Sequence, residues 1–436
     1  MRIVRTAAVT VGAIAVVLGG VLLEADAAAK SAPTTPNVSF VRASLSGGDT
    51  AGVDNSTGAL LLAATGLTTG SCPDPHQGAV AVAYESGSWI GDWVGAPFAF
   101  DELIASWNAA TPAGTWVKIE MQAAGSARET VWYVLGIWAS GDGDIRRTSV
   151  AGQGDADGSV AVDTFVRGKK AAPLDGYRLR ATLYRRAGTS ASPIIRGLAA
   201  MVSATARYEI PSMSSGVVRD LAVPQRSQET HVGHYPEYDN GGEAWCSPTS
   251  TAMVLRFWGA GPSTTDLAAF PGHDAASGAP HIDGEVDHAA RYVFDWQYNG
   301  AGNWPFNTAY ATTFAAPVTN TSPGGQIDGF VTRLRSLAEA ELFIAAGIPL
   351  VASINGKLEG FLFGSTNGHL LVIRGFDASG DVISNDPAVT SNADVRKTYG
   401  RADFERVWLE GSGGLVYVIR PTGVRLPPNV PGPANW

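Results

Sequence analysis

The hydrophobic periodicity of the chain changes once, near residue 212, and this change limits the folds that the chain can adopt. Before that point apolar and polar residues alternate, as from Tyr177 to Tyr184, and Gly-rich turns such as Ser140 to Gly143 separate the alternating runs. Alternation with a period of two is typical of half-buried strands. Many short strands with such turns predict a β-sandwich over residues 37–206, with one short helix at residues 100–108.

Beyond residue 217 apolar residues recur at helical spacing, and strand-like runs lie between and after these segments. The pattern predicts helices at residues 248–258, 286–296, 331–346 and 401–409, and strands at residues 348–354, 369–376, 381–384 and 415–419. Helices and strands joined by long Gly- and Pro-rich loops predict an α+β domain over residues 217–420. The Ser- and Gly-containing residues 206–218 are expected to form a linker, and the Pro-rich residues 421–436 an extended tail.

The first 29 residues have the order of a secretory signal peptide. Arg2 and Arg5 precede an apolar stretch, and the small residues Ala27, Ala28 and Ala29 follow it. This order predicts cleavage after Ala27 or Ala29 and a secreted, extracellular protein. A membrane anchor is the alternative, but the apolar stretch is short for a membrane span and contains glycines.

Charge and cysteine content exclude several classes of function. The net charge of −9 is unfavourable for binding phosphate backbones or anionic lipids, so we expect no nucleic-acid partner and no membrane association of the mature chain. Two cysteines, Cys72 and Cys246, are too few for a disulfide scaffold or a four-thiolate zinc site. They can form one disulfide, or one of them can perform chemistry.

Cys246 lies in a segment that is typical of a helix N-terminus. Ser247 can cap the helix, Pro248 suits its first turn, and an apolar run follows. Unpaired N–H groups and the positive end of the helix dipole favour thiolate over thiol at this position. Cys246 is therefore the candidate nucleophile.

Two polar positions downstream can complete a catalytic group. His369 follows Gly368 at the start of an apolar strand, and Asp386 ends the next strand, where it can orient an imidazole. Asn385 and Asp386 should point to opposite sides, so only one can serve, and we favour Asp386. A histidine within a core, and an acid that starts a turn before Pro387, are the ordinary alternatives.

These motifs resemble the C39-like peptidases of the papain-like fold. The order Gln, Cys-Ser-Pro-Thr-Ser, Asn-Gly-His and Asn-Asp-Pro carries the resemblance over about residues 217–419. It implies that Cys246 is the nucleophile, His369 the general base and acid, Asp386 the orienting group and Gln228 the oxyanion donor. The whole chain is also similar to exported two-domain actinobacterial proteins of the C39 family.

The sequence departs from that family in two places. Ser247 stands where the family usually has glycine directly after the cysteine. A longer insert than usual separates Gln228 from Cys246, which leaves Gln225 as an alternative oxyanion donor.

The sequence therefore predicts an N-terminal β-sandwich followed by a papain-like peptidase domain, in a secreted cysteine peptidase that acts as a monomer. Its partners would be peptide or protein substrates, including substrates in the cell wall, and the mechanism needs no cofactor. The alternatives are a cell-wall amide hydrolase or acyl transferase of the same fold, or a non-catalytic binding protein. The linker also predicts that the sandwich acts as a tether, so that a fragment starting near Ser212 would retain turnover of small substrates.

Other polar and aromatic clusters have weaker functional interpretations. His231, His234 and Asp239 have ligand-like spacing, but no predicted helix places the pair on one face, so no metal site is predicted. Acidic turns at residues 142–144 and 155–158 lack the full calcium-loop pattern. The six tryptophans from Trp89 to Trp138 could stack on sugars, but their pattern favours a core.

Overall fold

Among the described residues of the first half of the chain, every helix or strand element is a strand. The computed structural model describes residues 37–74, 76, 81–126, 128–204, 208, 210–270, 283–320 and 322–436, so the predicted signal peptide lies outside the described residues. The strands are β1 (Asn37–Arg42), β2 (Asp49–Ala51), β3 (Val53–Asp54), β4 (Leu61–Leu62), β5 (Thr68–Pro73), β6 (Ala81–Ile90), β7 (Val94–Phe100), β8 (Glu102–Ala110), β9 (Thr115–Ala124), β10 (Tyr133–Trp138), β11 (Gly158–Ala161), β12 (Thr164–Arg167), β13 (Leu174–Arg186) and β14 (Ile194–Ala204).

These strands form two larger antiparallel sheets that share one core. One sheet has the order β1-β14-β8-β12-β11, and the other has the order β10-β9-β13-β6-β2, with β5 beside β6 and β7 beside β13. Alternate residues of β13, including Leu179, Ala181 and Leu183, are buried, as the period-two pattern requires. The predicted β-sandwich is confirmed.

The short helix predicted at residues 100–108 is wrong, because this segment is the end of β7 and most of β8. Six of the nine residues of β8 are buried, including Leu103, Ile104 and Trp107. One face of β8 lies in the sandwich and the other packs against the second domain. A strand buried on both faces loses its alternation, and its apolar run then resembles a helix.

The second half mixes helices and strands. The strands are β15 (Arg219–Asp220), β16 (Ala315–Ala316), β17 (Gly325–Arg333), β18 (Leu350–Lys357), β19 (Ser365–Phe376), β20 (Val382–Asn385), β21 (Arg396–Tyr399) and β22 (Leu415–Pro421). The helices are α1 (Cys246–Phe257), α2 (Thr264–Leu267), α3 (Gly284–Val293), α4 (Trp304–Ala311), α5 (Leu337–Ala345) and α6 (Arg401–Glu405), with 3-10 turns at Glu229–His231, Gly242–Ala244 and Asn392–Asp394 and a π-helical turn at Arg406–Glu410.

One antiparallel sheet organises this domain, in the order β16-β17-β22-β18-β19-β20-β21, with β15 beside β19. Helix α1 packs against β19 and α3, and α4 packs against β17. The predicted α+β class is confirmed. The helix predicted at residues 331–346 is half wrong, since its first part is the end of β17 and the helix begins only after the capping residue Ser336.

The segment predicted to be a linker is bonded to the second domain. The backbone N–H of Ser212 donates to a carboxylate oxygen of Glu405 over 2.6 Å, and that of Ser215 donates to Glu341 over the same distance. Arg401 donates to the same Glu341 carboxylate over 2.6 Å. The backbone N–H groups of Ser212 and Ser215 are thus bound by the buried carboxylates of Glu405 and Glu341. The segment is therefore not a free tether.

The Pro-rich tail also folds back onto the protein. The backbone N–H of Phe40 in β1 donates to the carbonyl of Ala434 over 2.8 Å, and the Asn435 side chain donates to the carbonyl of Arg333 over 2.9 Å. The Trp436 ring packs on Phe343 with the ring centroids 5.0 Å apart. The tail therefore contacts both domains, and the expectation of an extended tail is wrong.

The two domains share an extensive interface formed by β8 and β14 against α4 and β17. At its edge the Asp328 carboxylate accepts hydrogen bonds from Arg42 and Asn108 of the sandwich, over 2.9 and 2.7 Å, and from Arg420, over 2.9 Å. Buried Asp163 of the sandwich accepts a bond from the backbone N–H of Trp304, over 2.7 Å, at the start of α4. The sandwich thus packs on the second domain.

Candidate functional site

Cys246 is the first residue of α1 and is half-buried. The expected cap at Ser247 is wrong, because Ser247 lies inside the first turn and its hydroxyl is hydrogen-bonded to the Tyr417 hydroxyl, over 2.9 Å. The backbone carbonyl of Trp245 instead accepts the first helical bond, from the N–H of Thr249 over 3.0 Å. The sulfur still lies at the N-terminal end of a twelve-residue helix. Both cysteines are free, so the alternative of a disulfide is wrong.

His369 and Asp386 come together because two neighbouring strands carry them. His369 lies in β19 opposite Ile354 of β18, and Asp386 directly follows β20, the strand on the other side of β19. The Nε2 atom of His369 is 2.8 Å from Oδ1 of Asp386. The side chain of Cys246 also interacts with this imidazole and helps to raise its pKa. Because Nε2 faces Asp386, Nδ1 is the ring nitrogen left for the sulfur.

Asn385 and Asp386 point to opposite sides, as their neighbouring positions predict. The Asn385 amide accepts a bond from Arg374 over 2.9 Å and donates to the backbone carbonyl of Pro224 over 3.0 Å. It therefore ties the backbone at Pro224 to the sheet, while Asp386 contacts the imidazole. Sequence reasoning missed Tyr399, whose hydroxyl donates to Oδ2 of Asp386 over 2.6 Å. Only the pairing of β20 with β21 brings it there, and no local motif signals this.

Electrostatics at this site favour a charged imidazole. Burial opposes protonation, but the charge and hydrogen bond of Asp386, together with the contact with Cys246, raise the pKa of His369 to about 10. Burial also opposes ionisation of Asp386, but bonds from His369, Tyr399 and the backbone of Ala388 hold the pKa of that carboxyl below its usual value. At neutral pH a positive charge therefore lies beside the sulfur of Cys246.

Gln228 is buried beside the segment that leads into Cys246. Its Nε2 atom donates to the backbone carbonyl of Glu243 over 2.7 Å and, less closely, to the carboxylate of Glu229 over 3.2 Å. Its backbone N–H donates to the carbonyl of Pro387 over 2.9 Å. Gln228 therefore contacts the segments that flank both Cys246 and Asp386.

The other polar clusters that the sequence suggested as weaker candidates have different positions and partners in the structure. His231 and His234 do converge, but on Asp287 of α3 and not on Asp239, whose carboxylate accepts the backbone N–H of Ala301 over 2.9 Å. The acidic turns of the sandwich form ion pairs, such as Asp142 with Arg291 over 3.0 Å and Asp157 with Arg128.

Most of the tryptophans belong to the core. Trp89, Trp107, Trp116 and Trp138 are buried. Trp93 is 38% exposed, and the guanidinium of Arg178 lies 4.5 Å from its ring centroid. The pattern-based preference for a core therefore holds for these four tryptophans.

A helix-borne cysteine joined to a histidine and an acid on adjacent strands of an antiparallel sheet defines the papain-like class of site. Comparison with known families agrees. Residues 38–203 match the family model described as "Peptidase C39 N-terminal domain", and residues 220–415 match the one described as "Peptidase_C39 like family". The two halves of the chain thus match, in order, the two domains of the actinobacterial type of C39-like peptidase.

No curated protein matches the chain. A solved structure of the Clostridium thermocellum endo-1,4-beta-D-xylanase 10B, with its CBM22-1 and GH10 modules and xylohexaose, is 8% identical over 44% of this chain and 32% of that chain, with a TM-score of 0.17. A likeness at that score carries no argument. Within the described residues, no helix has the length and apolar character needed to cross a membrane.

Proposed function

We propose that this protein is a secreted cysteine peptidase with Cys246 as nucleophile. The observation that carries the proposal is a single chain of contacts, in which the buried imidazole of His369 lies between the Cys246 side chain and the Asp386 carboxylate. The family match over residues 220–415 supports a peptidase-type function for the domain that holds these side chains. The proposed nucleophile, base and orienting group all come from the second domain.

The geometry supports acyl transfer in two steps. The Cys246 thiolate attacks the substrate carbonyl, and the His369 imidazolium gives its proton to the leaving amine. The imidazole, now neutral, removes a proton from water, which attacks the thioester and releases the acid. Asp386 stays ionised and holds the ring in place through Nε2. These steps need no cofactor.

The negative oxygen of the tetrahedral intermediate needs hydrogen-bond donors. The backbone N–H of Cys246, at the first position of α1, is one candidate. The amide of Gln228 is the other, and its shorter bond to Glu243 holds it in position. The longer bond of 3.2 Å to Glu229 is the one that a substrate oxygen would replace.

Peptides or proteins, including those of the cell wall, are the proposed substrates. The proposed export rests on the signal-like residues 1–29, which lie outside the described residues. Amide hydrolysis or acyl transfer in the cell wall would use the same three side chains, so only the products distinguish these reactions.

The decisive experiment identifies products. The purified mature chain is incubated with a proteome-derived peptide library and with isolated cell wall, and mass spectrometry identifies new termini and new cross-links. We expect new peptide termini, which are absent with the Cys246→Ala variant. New cross-links without new termini would indicate an acyl transferase. No product, together with no labelling of Cys246 by a thiol-directed activity probe, would contradict enzymatic function and leave a binding protein.

A further inference from the structure

Three buried side chains converge at a point that the proposed mechanism does not use. His231 and His234 lie in the loop after Gln228, and Asp287 lies in the first turns of α3. Each is at most 5% exposed, and potential ligand atoms of the three lie within 4.8 Å of one another. The Nδ1 atoms of His231 and His234 are 3.1 and 3.0 Å from the same oxygen, Oδ1 of Asp287.

These distances fit a small tetrahedral ion. Zinc lies about 2.0–2.1 Å from histidine nitrogens and about 2.0–2.2 Å from carboxylate oxygens, so adjacent ligands of a tetrahedron are about 3.3 Å apart. The environment of the same carboxylate also favours a cation. The other oxygen of Asp287, Oδ2, is buried without a hydrogen-bond partner among the described residues. A cation beside the carboxylate would offset the cost of burying that oxygen.

The donor atoms select the kind of metal. Imidazole nitrogens suit zinc, iron, copper and nickel, whereas calcium and magnesium prefer oxygen ligands alone. We propose that His231, His234 and Asp287 bind one divalent transition-metal ion, with zinc as the best match. Three protein ligands leave the fourth position of a tetrahedral ion for water.

The position of this site gives the metal a structural role. His231 ends the 3-10 turn that follows Gln228, and its ring centroid is 6.1 Å from that of Trp245, the residue before Cys246. Asp287 belongs to α3, which packs against α1. A bound ion would therefore fasten the loop between Gln228 and Cys246 to the helical part of the domain.

The test must separate this site from the thiol, because Cys246 and His369 could themselves bind zinc. The full mature chain with Cys246→Ala is therefore treated with a chelator, dialysed and titrated with zinc chloride by calorimetry. We expect one zinc ion per chain and a rise of several degrees in the unfolding midpoint at saturating zinc. Replacement of zinc by cobalt(II) should give the intense visible absorption of a tetrahedral site.

Matched variants locate the metal. In the same Cys246→Ala chain, His234→Gln and Asp287→Asn should each weaken zinc binding at least about tenfold. The control His288→Gln changes the next residue of α3, whose Nδ1 atom is hydrogen-bonded to the Tyr310 hydroxyl over 2.9 Å, and should keep the affinity.

Two results would overturn the proposal. One is less than stoichiometric zinc in the Cys246→Ala chain, a measurement that needs no further variant to fold. The other is equal affinity in Asp287→Asn and the parent chain. Neither result depends on peptidase activity, so the experiment tests the metal site independently of the proposed function.

Discussion

The charge on His369 decides how the proposed reaction runs. A protonated imidazole stabilises the thiolate before attack and then supplies the proton for the leaving amine. Burial would remove that proton, and the adjacent Asp386 carboxylate is the largest influence that keeps it in place. The positive charge should therefore persist at neutral pH and disappear as the pH rises through the raised pKa of His369, about 10.

Asp386→Asn should shift the alkaline limb of the pH profile. Without the carboxylate charge the pKa of His369 falls, so the loss of kcat/KM at high pH should begin about 1–3 pH units lower than in the unchanged protein. Turnover should fall less than in Cys246→Ala, since the nucleophile remains. The measurement is kcat/KM against pH for a peptide substrate.

Asn385→Ala is the control, because Asn385 contacts Arg374 and backbone carbonyls and not the imidazole. Its alkaline limb should match that of the unchanged protein. If Asn385→Ala moved the limb and Asp386→Asn did not, the orienting residue would be misassigned.

The two cysteines should differ in reactivity with iodoacetamide. Cys246 lies at a helix N-terminus beside a protonated imidazole, so it should be alkylated faster than Cys72 at pH 6. Cys72 is an internal control, because burial, aided by the nearby charge of Asp74, raises the pKa of Cys72. Mass spectrometry of both peptides against pH decides, and equal labelling at pH 6 would contradict the ion pair.

Gln228→Ala should lower kcat by about 10²–10³ if its amide supports the oxyanion. KM should change little, because the bond to the charged oxygen forms in the transition state. Gln225→Ala is the matched comparison, since the sequence leaves Gln225 as the alternative oxyanion donor. A larger loss of kcat from Gln225→Ala would make Gln225 the donor.

At the scale of elements, two 3-10 turns hold the loop between Gln228 and Cys246 in place. The turn Gly242–Ala244 packs directly on the turn Glu229–His231. A Cβ atom on Gly242 would collide with backbone atoms of Gln228 and His231. Backbone cannot move aside as a flexible side chain can, so only glycine fits here.

Gly242→Ala should therefore move Gln228 and lower both stability and turnover. Overpacking of this kind costs about 1–3 kcal/mol, which chemical denaturation can measure, and kcat should fall with it. Gly400→Ala is the control, because a Cβ there meets nothing within 4 Å and the backbone has an ordinary φ of −57°. Similar losses in the two variants would show that the turn packing is unimportant.

Local patterns predicted the elements that carry the candidate site. Helix α1 and strands β19 and β20 lie close to their predicted bounds, because each has one clear period and a clear start. Long-range pairing was not predictable. Tyr399 reaches Asp386 through the pairing of β20 with β21, and Asp287 meets two histidines more than fifty residues away in sequence.

Two predictions from the sequence were wrong because they concerned segments that contact distant parts of the protein. Strand β8 resembled a helix because the other domain covers its outer face. Residues 212–216 had the composition of a free linker, yet Glu341 and Glu405 bind their backbone donors. In both cases the missing information is the contact between the domains or between distant segments, which a local window does not contain.

At the scale of the whole molecule, the domain interface is built like a core. The ring centroids of Phe40 in the sandwich and Phe330 in the second domain are 4.6 Å apart, and those of Trp138 and Phe306 are 5.3 Å apart. The interface also pairs Asp328 with arginines from both domains. Interfaces that are apolar at the centre and ionic at the rim are typical of domains that stay together.

A fragment that starts at Ser212 should therefore not behave as an independent enzyme. Separation would expose Phe306 and Phe330 to water and leave Asp328 without its contacts to Arg42 and Asn108. We expect one calorimetric transition for the full chain, and a midpoint at least about 10 °C lower, or aggregation, for the fragment. Adding the separately produced residues 37–211 should restore turnover of a small peptide. A monomeric fragment with the midpoint and turnover of the full chain would contradict this, and the sandwich would then be a tether after all.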